Sequence, residues 1–176
     1  MMAPAEIAEK SGALTKMVGA IVVYYAILEH WIDGMVATLH FRVPDANKLR
    51  KKYPINAKDE VSFLRECFEG VPALAKYKSQ GLRFLDKLEP LSNFRHNIVH
   101  GHIREIDWAA ETMEFSRITK GEDKKPVRRT MTIVGSELFH QGEDIRALIP
   151  QAQLITQLLI AEFGTDDEIL KLAGRY

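Results

Sequence analysis

The chain has 176 residues, with 24 Lys plus Arg against 24 Asp plus Glu and a formal net charge of zero. This length predicts a single domain, residues 1–176, with a sizeable core, and the charge balance excludes a globally basic coat or an acidic tail, so any anion site must be local. A single cysteine, Cys67, excludes an intrachain disulfide and a zinc site built from several thiolates, and it fits a reducing cytoplasm.

From about residue 4 to residue 41 the apolar positions Leu14, Val18, Ile21, Tyr25, Leu28, Ile32, Met35 and Leu39 step by fours and threes, which predicts a long buried helix. Gly12 or Gly34 is a place for it to break, and Val43-Pro44 ends it. Its longest apolar run, Met17 to Leu28, falls short of the roughly 20 residues that cross a bilayer, so no membrane span is expected. Glu6 and Glu9 offset Lys10 and Lys16, and Glu29-His30-Trp31 stands where a cleavage site would need small residues, so no signal peptide is expected either. Tyr24, Tyr25 and Trp31 lie at helical spacing and are read as core or dimer packing.

The basic run Lys48, Arg50, Lys51 and Lys52 follows, and Asn56 is placed to cap a short helix through Phe68, with Gly70 and Pro72 after it. Cys67 in that helix is expected to be a small buried hydrophobe. A third helical pattern runs from about Ala73 to His100 on Phe84, Leu88, Leu91 and Ile98; Pro90 inside it implies a kink or a new start near Leu88, and Gly101 stops it. The period then changes to two: Ile103–Trp108, Met113–Thr119 and Val127–Val134 predict an antiparallel meander of three short strands. A second basic cluster, Lys124, Lys125, Arg128 and Arg129, lies in and after its second turn. Each basic cluster either tracks a nucleic-acid backbone or is a solvated loop. Ser136 is placed to cap a last long helix with Ile145, Leu148, Ala152, Ile155 and Leu159 as its stripe, bent at Pro150. Thr165 with Glu168 predicts a capping box for a short final helix ending at Gly174.

One dense polar cluster remains: Ser92-Asn93-Phe94-Arg95-His96-Asn97-Ile98-Val99-His100-Gly101-His102, with three of the six histidines. Arg95 occupies an apolar-stripe position, where an unpaired guanidinium is costly to bury. Two bland explanations stand beside a functional one. Arg95 pairs with Glu29 or Asp33 while His96 and His100 form a solvated turn, or His96, His100 and His102 bind a metal, although no carboxylate sits at ligand spacing among them.

Arg95-His96-x-x-x-His100-Gly101, late in a helix between two other long helices, resembles the motif of the HEPN superfamily, an Arg followed by four to six residues and a His. The resemblance covers most of residues 5–163. It implies a mainly α fold, an antiparallel helical bundle with the β-meander, about residues 103–134, as an insertion. It also implies a metal-independent endoribonuclease of the toxin or defence type, needing no cofactor, in which the ribose 2′-hydroxyl of single-stranded RNA attacks the adjacent phosphorus. Arg95 and His100 are then the catalytic pair, and His96, Asn97 and His102 support them; His102 also satisfies the spacing. Histidine exchanges protons near neutrality and arginine offers a fixed fork of donors to a phosphorane. Residues five apart on a helix point ~140° from each other, so one chain converges poorly and a homodimer with a composite cleft is expected. The alternative is an inactive bundle of the same kind serving as a dimerisation or binding module, for instance with a nucleotidyltransferase-like antitoxin.

Overall fold

The structure, a computed structural model, describes residues 3–121, 123 and 125–164. It is about 70% helical with one small antiparallel sheet. In chain order the elements are α1 (Pro4–Arg42), α2 (Ala46–Leu49), α3 (Ala57–Gly70), a 3-10 turn (Pro72–Leu74), α4 (Lys78–His100), β1 (His102–Asp107), β2 (Thr112–Lys120), β3 (Pro126–Val134) and α5 (Gly135–Phe163). The chain divides into two compact units, one of residues Met1–Tyr25 and Leu91–Arg146 and the other of Ala26–Pro90 and Ala147–Tyr176. α1, α4 and α5 each contribute to both.

The first unit takes the start of α1, the end of α4, the sheet and the start of α5. Its core is Ile21, Tyr25, Leu91, Phe94, Ile98, Met113, Phe115, Ile133, Leu138 and Ile145. The sheet has the order β1-β2-β3. Met113 faces Ile133 and Phe115 faces Met131 across the β2–β3 ladder, so the alternating apolar residues of both strands share the face turned to the core. Between β1 and β2 the Asp107 carboxylate accepts from the N–H groups of Ala109 (2.9 Å) and Ala110 (3.0 Å), an Asx turn that lets Glu111 adopt φ 54°. β1 carries an irregularity between Ile103 and Glu105.

The second unit is helical, with a core of Leu28, Ile32, Met35, Val36 and Leu39 from α1, Phe63, Leu64, Cys67 and Phe68 from α3, Phe84, Leu85 and Leu88 from α4, and Leu148, Ala152, Ile155 and Leu159 from α5. α1 and α5 approach closely in it: Thr156 Oγ1 donates to the backbone oxygens of Ala152 and Trp31, and a β-carbon on Gly34 would stand 3.3 Å from the Thr156 methyl. α3 meets α4 at Gly81, where a β-carbon would lie 2.5 Å from the fully buried Phe68 ring.

Several boundaries follow the sequence. Asn56 caps α3 by accepting from the N–H of Asp59 at 3.0 Å, α1 ends at Arg42 just before Val43-Pro44, and the three strands fall within two residues of their expected ends. Other points differ. Neither Gly12 nor Gly34 interrupts α1, because 39 residues of helix are carried by the buried stripe and two glycines cost only about 1 kcal/mol each. α4 starts at Lys78, not near Ala73, since Pro72–Leu74 form a separate 3-10 turn, and it runs unbroken past Pro90. α5 already includes Gly135 and Ser136, so Ser136 lies in its first turn. The expected capping box at Thr165 and Glu168 and the final helix lie outside the described residues.

By length and composition α1 is able to cross a membrane: an 18-residue window in it has a mean hydropathy of 1.5, and 17% of that window is buried. The core helix of a folded protein meets the same requirement of length and composition. From Met35 to His40 the same helix is buried at every position.

Candidate functional site

The last two turns of α4 carry Arg95, His96, Asn97 and His100, and β1 begins at His102 after a single residue, Gly101. Glycine is required there: a β-carbon would sit 2.3 Å from the carbonyl oxygen of Asn97 and 3.4 Å from Cβ of Phe115. The tight passage from helix to strand holds the end of α4 against β2.

His96 and His100, one helical turn apart, are both exposed, with ring centroids 4.7 Å apart. Partial burial and then the positive charges of Arg117, His100 and Arg95 hold the His96 imidazole below its usual range, favouring the neutral form. Arg95 is half-buried and turned elsewhere, its guanidinium carbon 5.1 Å from the centroid of the buried Tyr25 ring on α1. Asn97 donates weakly to the sulfur of Met131 on β3 at 3.5 Å. His102 is exposed and pairs in register with Ser116. The structure therefore brings His96 to His100 on one surface and Arg95 to Tyr25 on another.

Under this surface is a cavity of about 220 Å³ lined by Asn97, Gly101, Phe115, Ser116, Arg117, Arg129, Thr130 and Met131. Arg117 on β2 and Arg129 on β3 are direct cross-strand partners and share the face of Phe115 and Met131. Arg129 belongs to the basic cluster visible in the sequence, whereas Arg117 was missed. A signal existed: Met113, Phe115 and Arg117 have the same parity, and pairing β2 with β3 about the Gly121 turn sets Arg117 opposite Arg129.

The remaining basic candidates scatter. Arg50 is held within the second unit, with Nη2 2.7 Å from Glu66 Oε1 and 2.6 Å from Ser62 Oγ, and it fastens the loop after α2 to α3. Lys48 pairs with Asp45, while Lys51 and Lys52 are exposed beside a shallow cleft with Tyr53, Pro54 and Ile55. Lys125 pairs with Asp123 at 3.1 Å, Arg128 lies opposite Ile118 on the other face of the hairpin, and Lys124 is outside the described residues. Cys67 is fully buried, and burial pushes its thiol up to about 12, which leaves it unreactive.

Among the described residues no three His, Cys, Asp or Glu side chains come together in a way that holds a metal ion. A larger cavity, about 410 Å³, opens between α1, the β1–β2 turn and the start of α5, lined mostly by apolar side chains such as Leu14, Met17, Trp108 and Phe139. Its charges are satisfied internally: Lys10 reaches Glu111 at 3.1 Å and the Trp108 carbonyl at 3.2 Å, and Asp107 caps its own turn. The exposed pair His96 and His100 lies at the end of α4, whose Asn97 shares a cavity wall with Arg117 and Arg129. The chain matches no family model, no curated protein and no solved structure.

Proposed function

We propose that the chain is a metal-independent endoribonuclease of HEPN-like, toxin or defence type that acts in the cytoplasm on single-stranded RNA. The observation that supports this reading best is the exposed pair His96 and His100, 4.7 Å apart, beside a cavity containing two arginines. In the proposed reaction neutral His96 accepts the proton of the ribose 2′-hydroxyl, and that oxygen attacks the adjacent phosphorus. The bond to the 5′-oxygen breaks as His100 in its protonated form delivers a proton to the leaving oxygen. The products are a 2′,3′-cyclic phosphate and a 5′-hydroxyl, and the two histidines have exchanged roles. No metal or cofactor enters the balance. Arg95 has a part only across a two-fold axis, since it leans on Tyr25 in its own protomer.

The test is cleavage of single-stranded RNA in the presence of a chelator, read as cyclic-phosphate ends. His100→Ala and His96→Ala are each expected to lose roughly two to four orders of magnitude in rate without loss of thermal stability. Full activity in either folded variant removes the proton-transfer roles.

A second reading, a dimerisation or binding module engaging a second copy or an antitoxin protein, is favoured by one observation. α1 leaves Val22 (41%) and Val23 (57%) exposed in the first unit, an apolar helical surface that association would cover. The two readings meet in a homodimer.

A further inference from the structure

The cavity beside the end of α4 contains an arrangement that the folded chain does not itself neutralise. Arg117 and Arg129 are directly opposed in the β2–β3 ladder, where like charges repel. Several other arginines are committed to carboxylates: Arg50 to Glu66 at 2.7 Å, Arg65 to Asp86 at 2.9 Å and Arg104 to Glu114 at 2.7 Å. Among the described residues neither Arg117 nor Arg129 has such a partner. The other residues of the cavity wall, Asn97, Gly101, Phe115, Ser116, Thr130 and Met131, carry no charge. Glu114, the acidic residue of β2, alternates to the opposite face and is paired there with Arg104. In a chain of zero net charge this is a local cationic pocket, adjacent to two exposed histidines.

We infer that Arg117 and Arg129 form a clamp for one backbone phosphate of single-stranded RNA in the cavity walled by Asn97 and Gly101. Two guanidinium forks facing one phosphate turn a repulsive cross-strand pair into a bridged one, with charge-assisted hydrogen bonds from both sides. The clamp would act as the cationic part of the site within one protomer, a task that Arg95, turned to Tyr25, does not perform there. The assignment of RNA as the source of the phosphate rests on the nuclease reading of His96 and His100.

The experiment compares wild type, Arg117→Gln, Arg129→Gln, the double variant and Lys120→Gln, a control of equal charge change on the same hairpin but its opposite face. The probe is a fluorescent single-stranded 2′-O-methyl oligoribonucleotide, which cannot be cleaved, titrated by anisotropy over a range of salt. Each arginine variant is expected to weaken binding about tenfold, and the double variant to lower the salt slope by about 0.7 for the one phosphate released. Lys120→Gln is expected to change binding less than twofold. Melting temperatures of the arginine variants should stay level or rise, since the repulsion is relieved, whereas a purely structural role requires them to fall. Unchanged binding in the double variant, or an equal loss in Lys120→Gln, overturns the clamp. Inorganic phosphate that shifts the Asn97 side-chain NMR signals while the oligonucleotide does not bind overturns RNA as the source. Wild type that binds through both arginines yet never cleaves RNA upholds the clamp and rejects the nuclease reading. Cleavage that depends on His100 with an unaltered KM in the double variant does the reverse.

Discussion

At His40 the imidazole stands edge-on to three rings, those of Phe41 (4.9 Å), Tyr53 (5.4 Å) and Phe63 (5.8 Å), and its Nδ1 is buried without a hydrogen-bond partner among the described residues. Burial pushes its pKa below the usual histidine range, because a cation there is poorly solvated. The sign of the stability effect follows: as pH falls below about 6.5 the unfolded chain takes up the proton first, so stability falls with acid. His40→Phe is expected to remove this contribution between about pH 6.5 and pH 5, read as the change with pH in its Tm difference from wild type. His96, whose pKa is also lowered, contributes in the same direction in both proteins and cancels. An identical acid dependence in the two proteins would show that His40 titrates normally. The contrast between these histidines is one of environment: His40 is enclosed by aromatic carbon, while His96 and His100 stand exposed on a helix end beside cations.

Between elements, the clearest conflict lies where α3 meets α1 in the helical unit. Glu60 is partly buried, and this burial together with the negative charges of Asp33, Glu29 and Asp59 pushes its carboxyl up to about 7. Asp33 is raised as well, by its burial. A raised carboxyl gives the opposite linkage from His40: stability is fully present below the unfolded value near 4.5 and is lost as pH rises through about 7. Glu60→Gln removes the charge and keeps the shape. We expect this variant to be more stable than wild type at pH 8 by about 1 kcal/mol after screening by solvent, and equal to it at pH 4.5, as measured by urea unfolding. A variant less stable than wild type at pH 8 would mean that the Glu60 carboxylate is held by favourable contacts. In the sheet unit, the pairing of β2 with β3 sets Arg117 directly opposite Arg129, the like-charged pair to which the phosphate clamp is assigned.

For the whole molecule the two titrations oppose each other over one window: Glu60 loses stability as pH rises from about 4.5 through about 7 and His40 loses it as pH falls below about 6.5, so where they overlap the two slopes offset and the Tm of wild type is expected to vary less with pH than that of either His40→Phe or Glu60→Gln. Association is the other property at this scale. If Val22 and Val23 of α1 are covered by a second copy, light scattering at micromolar concentration gives twice the 20.0 kDa chain mass, and Val23→Glu returns the chain to a monomer by placing a charge in the contact. A wild-type monomer would remove both the composite cleft and the role of Arg95 in it, and leave the single-protomer site of His96, His100, Arg117 and Arg129.

The long helices, the change of period after Gly101 and the three strands were legible because each depends on spacing along the chain: 3.6 for Leu28, Ile32, Met35 and Leu39, and two for Met113, Phe115, Met131 and Ile133. The Asn56 cap and the burial of Cys67 were legible for the same local reason. The histidine cluster was visible as a density of polar residues, and its placement at a helix end followed from Gly101. The direction that each side chain takes was not available from spacing. Arg95 and His100 share a motif in sequence, yet one leans on Tyr25 and the other on His96, since a helix turns them apart and its neighbours choose the surface each one meets. Arg50 and Arg129 look alike as members of basic clusters, but α3 supplies Glu66 to the first and the β2–β3 register supplies only Arg117 to the second. Local patterning determined which elements form. The tertiary structure decided which charges meet, because ion pairing depends on a few ångströms between segments far apart in the chain.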